Sequence, residues 1–321
     1  MKKRKLKLKK QVYYFIIGII LIIVLSIVGK KHYEDYKYRQ TYEYKLLEIG
    51  YTKDETIKLL DLLNDSEINQ LLLEEKNEDL LHFIDEKYFL YKNLKEYLEY
   101  KDKYDNLSYS NIVTIVNVNR NHEYYTDDHD TNLNLNYSLL TNKYYKLASD
   151  YEPEDLVTVK TTHAWGDYGD NKIRQEVYDE YIKMFEAAKE NGITLMINSS
   201  YRSFQDQEAV YKSYEEEYDT DYADDIAARP GYSEHQTGLA LDIFCTTNTS
   251  IKTFENSEAF KWLSENSYKY GFILRYPKEK ENITGYTFES WHYRYVGKEL
   301  AYKIYQEKIT LDEYYAYYIE K

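Results

Sequence analysis

The chain has 321 residues, a formal net charge of −14, 41 tyrosines and a single cysteine, Cys245. That length accommodates one sizeable core plus a smaller unit. The acidic body argues against nucleic acid as a partner, since nucleic acid requires a basic face, and one cysteine excludes an intramolecular disulfide.

The charge is unevenly placed. Residues 2–10 hold seven cations and no acid, which leaves the rest near −21. Val12 to Val28 is apolar apart from Tyr13, Tyr14, Gly18 and Ser26. These 17 residues reach roughly 26 Å as a helix, the short end of a membrane span. The pattern predicts a cytoplasmic basic tail over 1–11, a transmembrane anchor over 12–28 and a body outside the membrane. A cleaved signal peptide is the rival reading, but Ser26-Ile27-Val28-Gly29-Lys30 offers no A-x-A-like site. No cysteine lies near the span, which excludes a lipoprotein anchor. An exported chain without disulfides fits the outer face of a single-membrane, Gram-positive bacterium.

Residues 29–110 read as a helical stalk. Thr52-Lys53-Asp54-Glu55 is a capping-box pattern. Behind it Ile57, Leu60, Leu63 and Ile68, with Leu59, Leu62, Leu71 and Leu72, recur at roughly helical spacing. Further helices are predicted over Glu78–Lys87 and Leu90–Lys103. His82 sits inside helical periodicity, and nothing in the stalk assembles into a catalytic constellation.

A second, larger domain is placed over 111–321. Ile112–Val118 is β-branched and apolar and reads as a strand. Residues 119–136 read as a polar loop; its His122, Asp127, Asp128, His129 and Asp130 lack the spacing of a calcium loop. A compact fold is expected from about Leu139. Ile173, Val177, Tyr181, Met184, Phe185 and Ala188 mark one helix face, stopped at Asn191-Gly192. Ile193, Leu195 and Ile197 alternate as a strand. Ser203 caps a helix to about Tyr218, and Ser257 one to Asn266. Gly238–Phe244, Phe272–Tyr276 and His292–Val296 are further strands, and Thr310 with Glu313 opens a last helix. The class is α+β.

Two segments carry chemistry: Ser233-Glu234-His235-Gln236-Thr237-Gly238-Leu239-Ala240-Leu241-Asp242 and Glu289-Ser290-Trp291-His292. Asp242 is an acid between Leu241 and Ile243, and a lone buried carboxylate needs a cation or hydrogen-bond donors. Two imidazoles and one carboxylate form a recurrent catalytic zinc set with a fourth position open to water, and a spare glutamate can serve as general base. The residues themselves leave open a carboxylate capped by backbone donors beside two ordinary histidines.

Ser-x-His-x-x-Gly-x-Ala-x-Asp followed by Glu-x-Trp-His resembles the VanY-type D,D- and L,D-carboxypeptidases, a family of zinc peptidases. Ser199-Ser200-Tyr201-Arg202-Ser203-Phe204 with Gln207, Pro230-Gly231-Tyr232-Ser233, Tyr270–Tyr276 and His292–Gly297 fit the same family. The resemblance runs from about Leu139 to the end. It implies a compact domain whose small antiparallel sheet, flanked by helices, carries a Zn2+ site. His235, Asp242 and His292 would be ligands, and Glu289 the base. Arg202 would hold the terminal D-alanine carboxylate, as a guanidinium fork suits a chain end. Gln207, Ser233 and Tyr286 would support substrate. The implied activity is removal of the C-terminal D-alanine from peptidoglycan stem peptides, D,D or L,D. The alternatives are a peptidoglycan endopeptidase of related fold and a non-catalytic wall-binding ectodomain. Trp291 reads as core support, Cys245 as packing, and His163 and Trp165 as loop residues that could line the groove.

Overall fold

The computed structural model describes residues 10–126, 129–165 and 171–320. It divides into two compact units, Met1–Leu94 and Lys95–Lys321. Asp127 and Asp128 lie outside the described residues.

In the first unit, Lys10–Arg39 is one helix of 30 residues. Val12–Arg39 is long and apolar enough to cross a membrane. Short helices follow at Tyr42–Glu48, Lys53–Leu62, Asp65–Leu71 and Glu78–Phe83. The Thr52–Glu55 capping box forms in both directions. The expected continuous helix behind it is broken, because Asn64 caps a second helix through Ser66 and Glu67. Leu59, Leu63, Ile68, Leu71, Leu80 and Phe83 are buried together with Leu46, while Ile57 and Leu62 are exposed. The helix expected to reach Lys87 ends at Phe83.

The second unit holds a four-stranded antiparallel sheet. Its order is Leu195–Ser199, Ala240–Cys245, His292–Tyr295, Phe272–Leu274. Leu241 and Ile243 face a core built with Val177, Tyr181, Met184 and Phe185 of the helix Gln175–Glu190. This alternation leaves the opposite face of the Asp242 strand for the site. The pairing register sets Asp242 directly across from His292, so their Cβ atoms are held about 5 Å apart by the ladder alone. A bulge between Ile197 and Ser199 bends the edge strand at that level.

One predicted strand is a helix. Ile112–Asn117 falls in the helix Tyr109–Asn117, capped by Ser108 and ended at Val118, with Ile112, Val113, Ile115 and Val116 all buried. A short apolar run carries no period that separates a buried strand from a buried helix. The unit also begins well before Leu139. Thr114 reaches the Tyr317 hydroxyl at 2.9 Å, and Arg120 donates to the Asn282 carbonyl.

Candidate active site

Each site residue is placed by a local device. Ser233 caps a turn over Glu234–Thr237, accepting from the His235 amide, and Gly238 ends it in the left-handed region at φ 66°. A Cβ there would meet Arg174 and Leu156 at 3.0 Å. This hairpin-like stop turns the chain from His235 straight into the strand that carries Asp242. Glu289 stands three residues before His292, in the turn entering the next strand, its amide donating to the Tyr276 carbonyl. Arg202 lies between the edge strand and the Ser203-capped helix, its amide bonded to the His235 carbonyl.

Among the described residues, one group could hold a metal: His235, Asp242 and His292, with one donor atom each within 4.8 Å of one another. His235 Nδ1 lies 2.6 Å from the Ser200 carbonyl, which leaves Nε2 facing Asp242 Oδ1 at 3.6 Å. His292 Nδ1 is 3.2 Å from the same oxygen. Zinc bonds of about 2.1 Å in a tetrahedron set donors about 3.4 Å apart, which matches both spacings. Asp242 Oδ1 is buried with no hydrogen-bond donor. A carboxylate oxygen in that state costs several kcal/mol unless a cation meets it, so the donor set fits zinc.

Electrostatics follow from burial and close charges. Burial works to raise the Asp242 carboxyl, but His235 and His292 outweigh it and hold it well below the usual carboxylate range. Burial, with Arg202 adding to it, lowers His235 to about 4. His292 resists burial and rises to about 9 because Asp242 and Glu234 favour its cation. Burial raises Glu289 to about 7, within the working range of a general base at neutral pH. Its Oε2 sits 3.6 Å from His292 Nδ1.

All eight residues singled out in the sequence line one pocket: Arg202, Gln207, Ser233, His235, Asp242, Tyr286, Glu289 and His292. Arg202 forms no ion pair among the described residues, and its Nε is buried without a partner. A guanidinium in that state can receive an incoming anion. Gln207 is buried, donates to the Ala228 carbonyl at 2.7 Å and keeps a free Oε1. The Tyr286 ring packs on Tyr276 and under Lys143 Nζ, 4.4 Å from the ring centre. Trp291 lines the pocket and stacks on Phe244, 9° from parallel. His163 and Trp165 do not line it; His163 contacts Tyr178 and Phe185, and Trp165 packs toward Phe244. Cys245 is buried beside Thr247.

Four charged residues escaped the sequence reading. Glu234 Oε1 accepts from Arg275 Nε at 2.8 Å and from Arg294 Nη1 at 2.7 Å, and Arg275 also holds Asp312 at 2.6 Å. The side chains of Glu234, Arg275 and Arg294 are fully buried. The signal was present: Arg275 and Arg294 interrupt apolar strands just as Asp242 does.

Residues 170–298 match the family model VanY, D-alanyl-D-alanine carboxypeptidase. The chain is 43% identical over 183 residues to the Bacillus subtilis protein YodJ, covering 55% of this chain and 66% of that one. It is 33% identical over 188 residues to a bifunctional D-Ala-D-Ala dipeptidase and D-Ala-D-Ala carboxypeptidase of Enterococcus gallinarum, covering 57% of this chain and 95% of that one. The chain belongs to the VanY family. Other curated relatives are longer than the shared region: this VanY-family chain spans 58% and 51% of D-alanyl-D-alanine carboxypeptidases from Enterococcus faecium and Enterococcus faecalis. The structure of the LD-carboxypeptidase LdcB superposes with a TM-score of 0.53 at 41% identity, covering 56% of this chain and 85% of that one. The VanY match contains all eight pocket residues and stops short of Asp312.

Proposed function

We propose that the chain is a membrane-anchored, zinc-dependent carboxypeptidase that removes the C-terminal D-alanine from peptidoglycan stem peptides outside the cell. One observation carries this reading: a single pocket gathers a His-Asp-His donor set, a buried glutamate beside it and an unpaired arginine. His235, Asp242 and His292 would hold the zinc, which supplies Lewis acidity to the scissile carbonyl and to water. Arg202 receives the terminal carboxylate through its two-pronged donor face, and Gln207 Oε1 accepts a further hydrogen bond from the same end of the substrate. Glu289 takes a proton from the attacking water as the new C–O bond forms. It returns that proton to the D-alanine nitrogen as the C–N bond breaks. A clamp for a chain-end carboxylate favours exopeptidase over endopeptidase action. The Lys10–Arg39 helix, preceded by the cation cluster, would hold the chain in the membrane with its basic end in the cytoplasm.

The test uses the full chain in detergent with two synthetic stem peptides, one ending in D-Ala-D-Ala and one in a single D-Ala. Mass spectrometry follows loss of one alanine, with and without a zinc chelator. Chelator-sensitive loss from the first peptide assigns D,D action, and loss from the second L,D action. No loss from either rejects the reading.

A further inference from the structure

A histidine that binds metal through Nδ1 must carry its proton on Nε2, and that N–H needs an acceptor. His292 points Nδ1 at Asp242 and Nε2 at Glu234 Oε2, 3.6 Å away. Both His292 Nε2 and Glu234 Oε2 are buried, and neither has a hydrogen-bond partner. Closing that gap by a few tenths of an ångström pairs two groups that are otherwise costly to bury.

Glu234 is built to stay put. Its Oε1 takes both guanidiniums, from Arg275 and Arg294, which leaves Oε2 to the imidazole. Arg294 also donates to the carbonyls of Tyr137, Leu139 and Tyr295. Arg275 spends its remaining donors on Asp312 at 2.6 and 3.2 Å, and Asp312 also accepts from Asn142. Asp312 lies in the first turn of the helix Leu311–Tyr314, whose cap is Thr310. Glu234, Asp312, Arg275 and Arg294 are thus a buried cluster of zero net charge, linked end to end to a candidate metal ligand.

We propose that Glu234 is a positioning residue for the metal: clamped by Arg275 and Arg294, and through Arg275 by Asp312 of the C-terminal helix, it fixes the orientation and tautomer of His292. The inference rests on the zinc reading above. It extends the metal site to Asp312, beyond the residues that the family model matches.

Glu234→Gln separates this role from simple space filling. A glutamine has one acceptor and one donor end, so it must face either the guanidiniums or the His292 N–H with an NH2 group. The full-length chain is purified in detergent and stripped of metal. Zinc is then titrated in competition with a fluorescent chelator, and the visible spectrum of the Co2+ form is recorded. Wild type that binds no zinc refutes the zinc reading itself. With wild-type binding in hand, Glu234→Gln is expected to weaken zinc about 10–100-fold and to alter the Co2+ bands, as loss of an outer-sphere partner does. Asp312→Asn is expected to weaken it about threefold to tenfold, the smaller effect of the more distant link. Gly271→Ala is the control for general destabilisation, with a lower melting temperature and unchanged zinc affinity. A folded Glu234→Gln protein that binds zinc within twofold of wild type overturns the inference, as does a Gly271→Ala protein that loses zinc equally. Should Glu234→Gln fail to fold, Asp312→Asn decides alone: unchanged zinc affinity overturns the proposal, and weakened affinity with a preserved metal-free melting temperature supports it.

Discussion

Replacing Arg202 by glutamine tests the exopeptidase assignment most directly. Arg202 Nε is buried in the pocket without a partner, and no described acid pairs with the side chain. A terminal carboxylate would therefore supply the first counter-charge this group meets. Charge-assisted hydrogen bonds contribute about 1.5–3 kcal/mol each, so a two-pronged contact contributes about 3–6 kcal/mol. The pocket is partly open, which favours the lower half of that range. The corresponding loss in kcat/KM is about 150-fold to 2,000-fold. The assay compares kcat/KM for a stem peptide with a free C-terminal carboxylate against the same peptide ending in an amide. Wild type should prefer the acid strongly, and Arg202→Gln should lose that preference rather than activity alone. Arg202→Lys keeps the charge but not the fork and should fall between them. Because Arg202 also acts on His235, zinc content is measured alongside. A folded, zinc-loaded Arg202→Gln protein that still prefers the acid by the wild-type factor refutes the reasoning.

Glu289→Gln should lower kcat about 10²- to 10⁴-fold while zinc affinity stays near wild type, as measured by single-turnover kinetics and metal analysis. Chelation should abolish D-alanine release, and zinc added back should restore it; zinc at 100 times its Kd should stabilise the fold by about 2.7 kcal/mol, read as a raised melting temperature. In the metal-free protein His292 binds its proton more tightly when folded, at about 9, than when unfolded. Its contribution to stability is therefore complete below about pH 6.5 and is lost as pH rises through about 9. Zinc must displace that proton, so calorimetry at pH 7.5 in buffers of different ionisation enthalpy should detect proton release on zinc binding. Gly271→Ala places a Cβ 2.6 Å from the Tyr295 ring at φ 88°, and should cost about 2–4 kcal/mol by denaturant unfolding.

The candidate site was more legible in the sequence than the fold around it. Asp242 stood out because a carboxylate inside an apolar strand needs a counter-charge, and a period of two placed it on the face opposite Leu241 and Ile243. Caps were equally legible: Thr52, Ser203, Ser257 and Thr310 all accept the predicted backbone bonds. Ile112–Val118 was misread because five β-branched residues in a row, four of them buried, satisfy both periods. The break at Asn64 was missed because leucines on either side keep helical spacing through it. In the Glu234 cluster the two arginines inside apolar runs were legible, but their partners were not. Its bonded pairs are 37 to 60 residues apart along the chain, and only the folded sheet reveals which buried charges cancel which.

The register that sets Asp242 opposite His292 divides labour within the catalytic unit. The Asp242–His292 pair is held by the hydrogen-bond ladder, whereas the pocket walls at Tyr214, Ile226 and Ile251 come from helices and connections outside the sheet. Insertions or deletions near Tyr214, Ile226 or Ile251 can therefore reshape what the pocket admits without moving the donors. A one-residue slip in the ladder would turn one of the pair to the far side of the sheet at a stroke. Substrate preference in such a scaffold is free to drift while its chemistry stays fixed, and lineages that share this sheet can diverge in the peptides they trim.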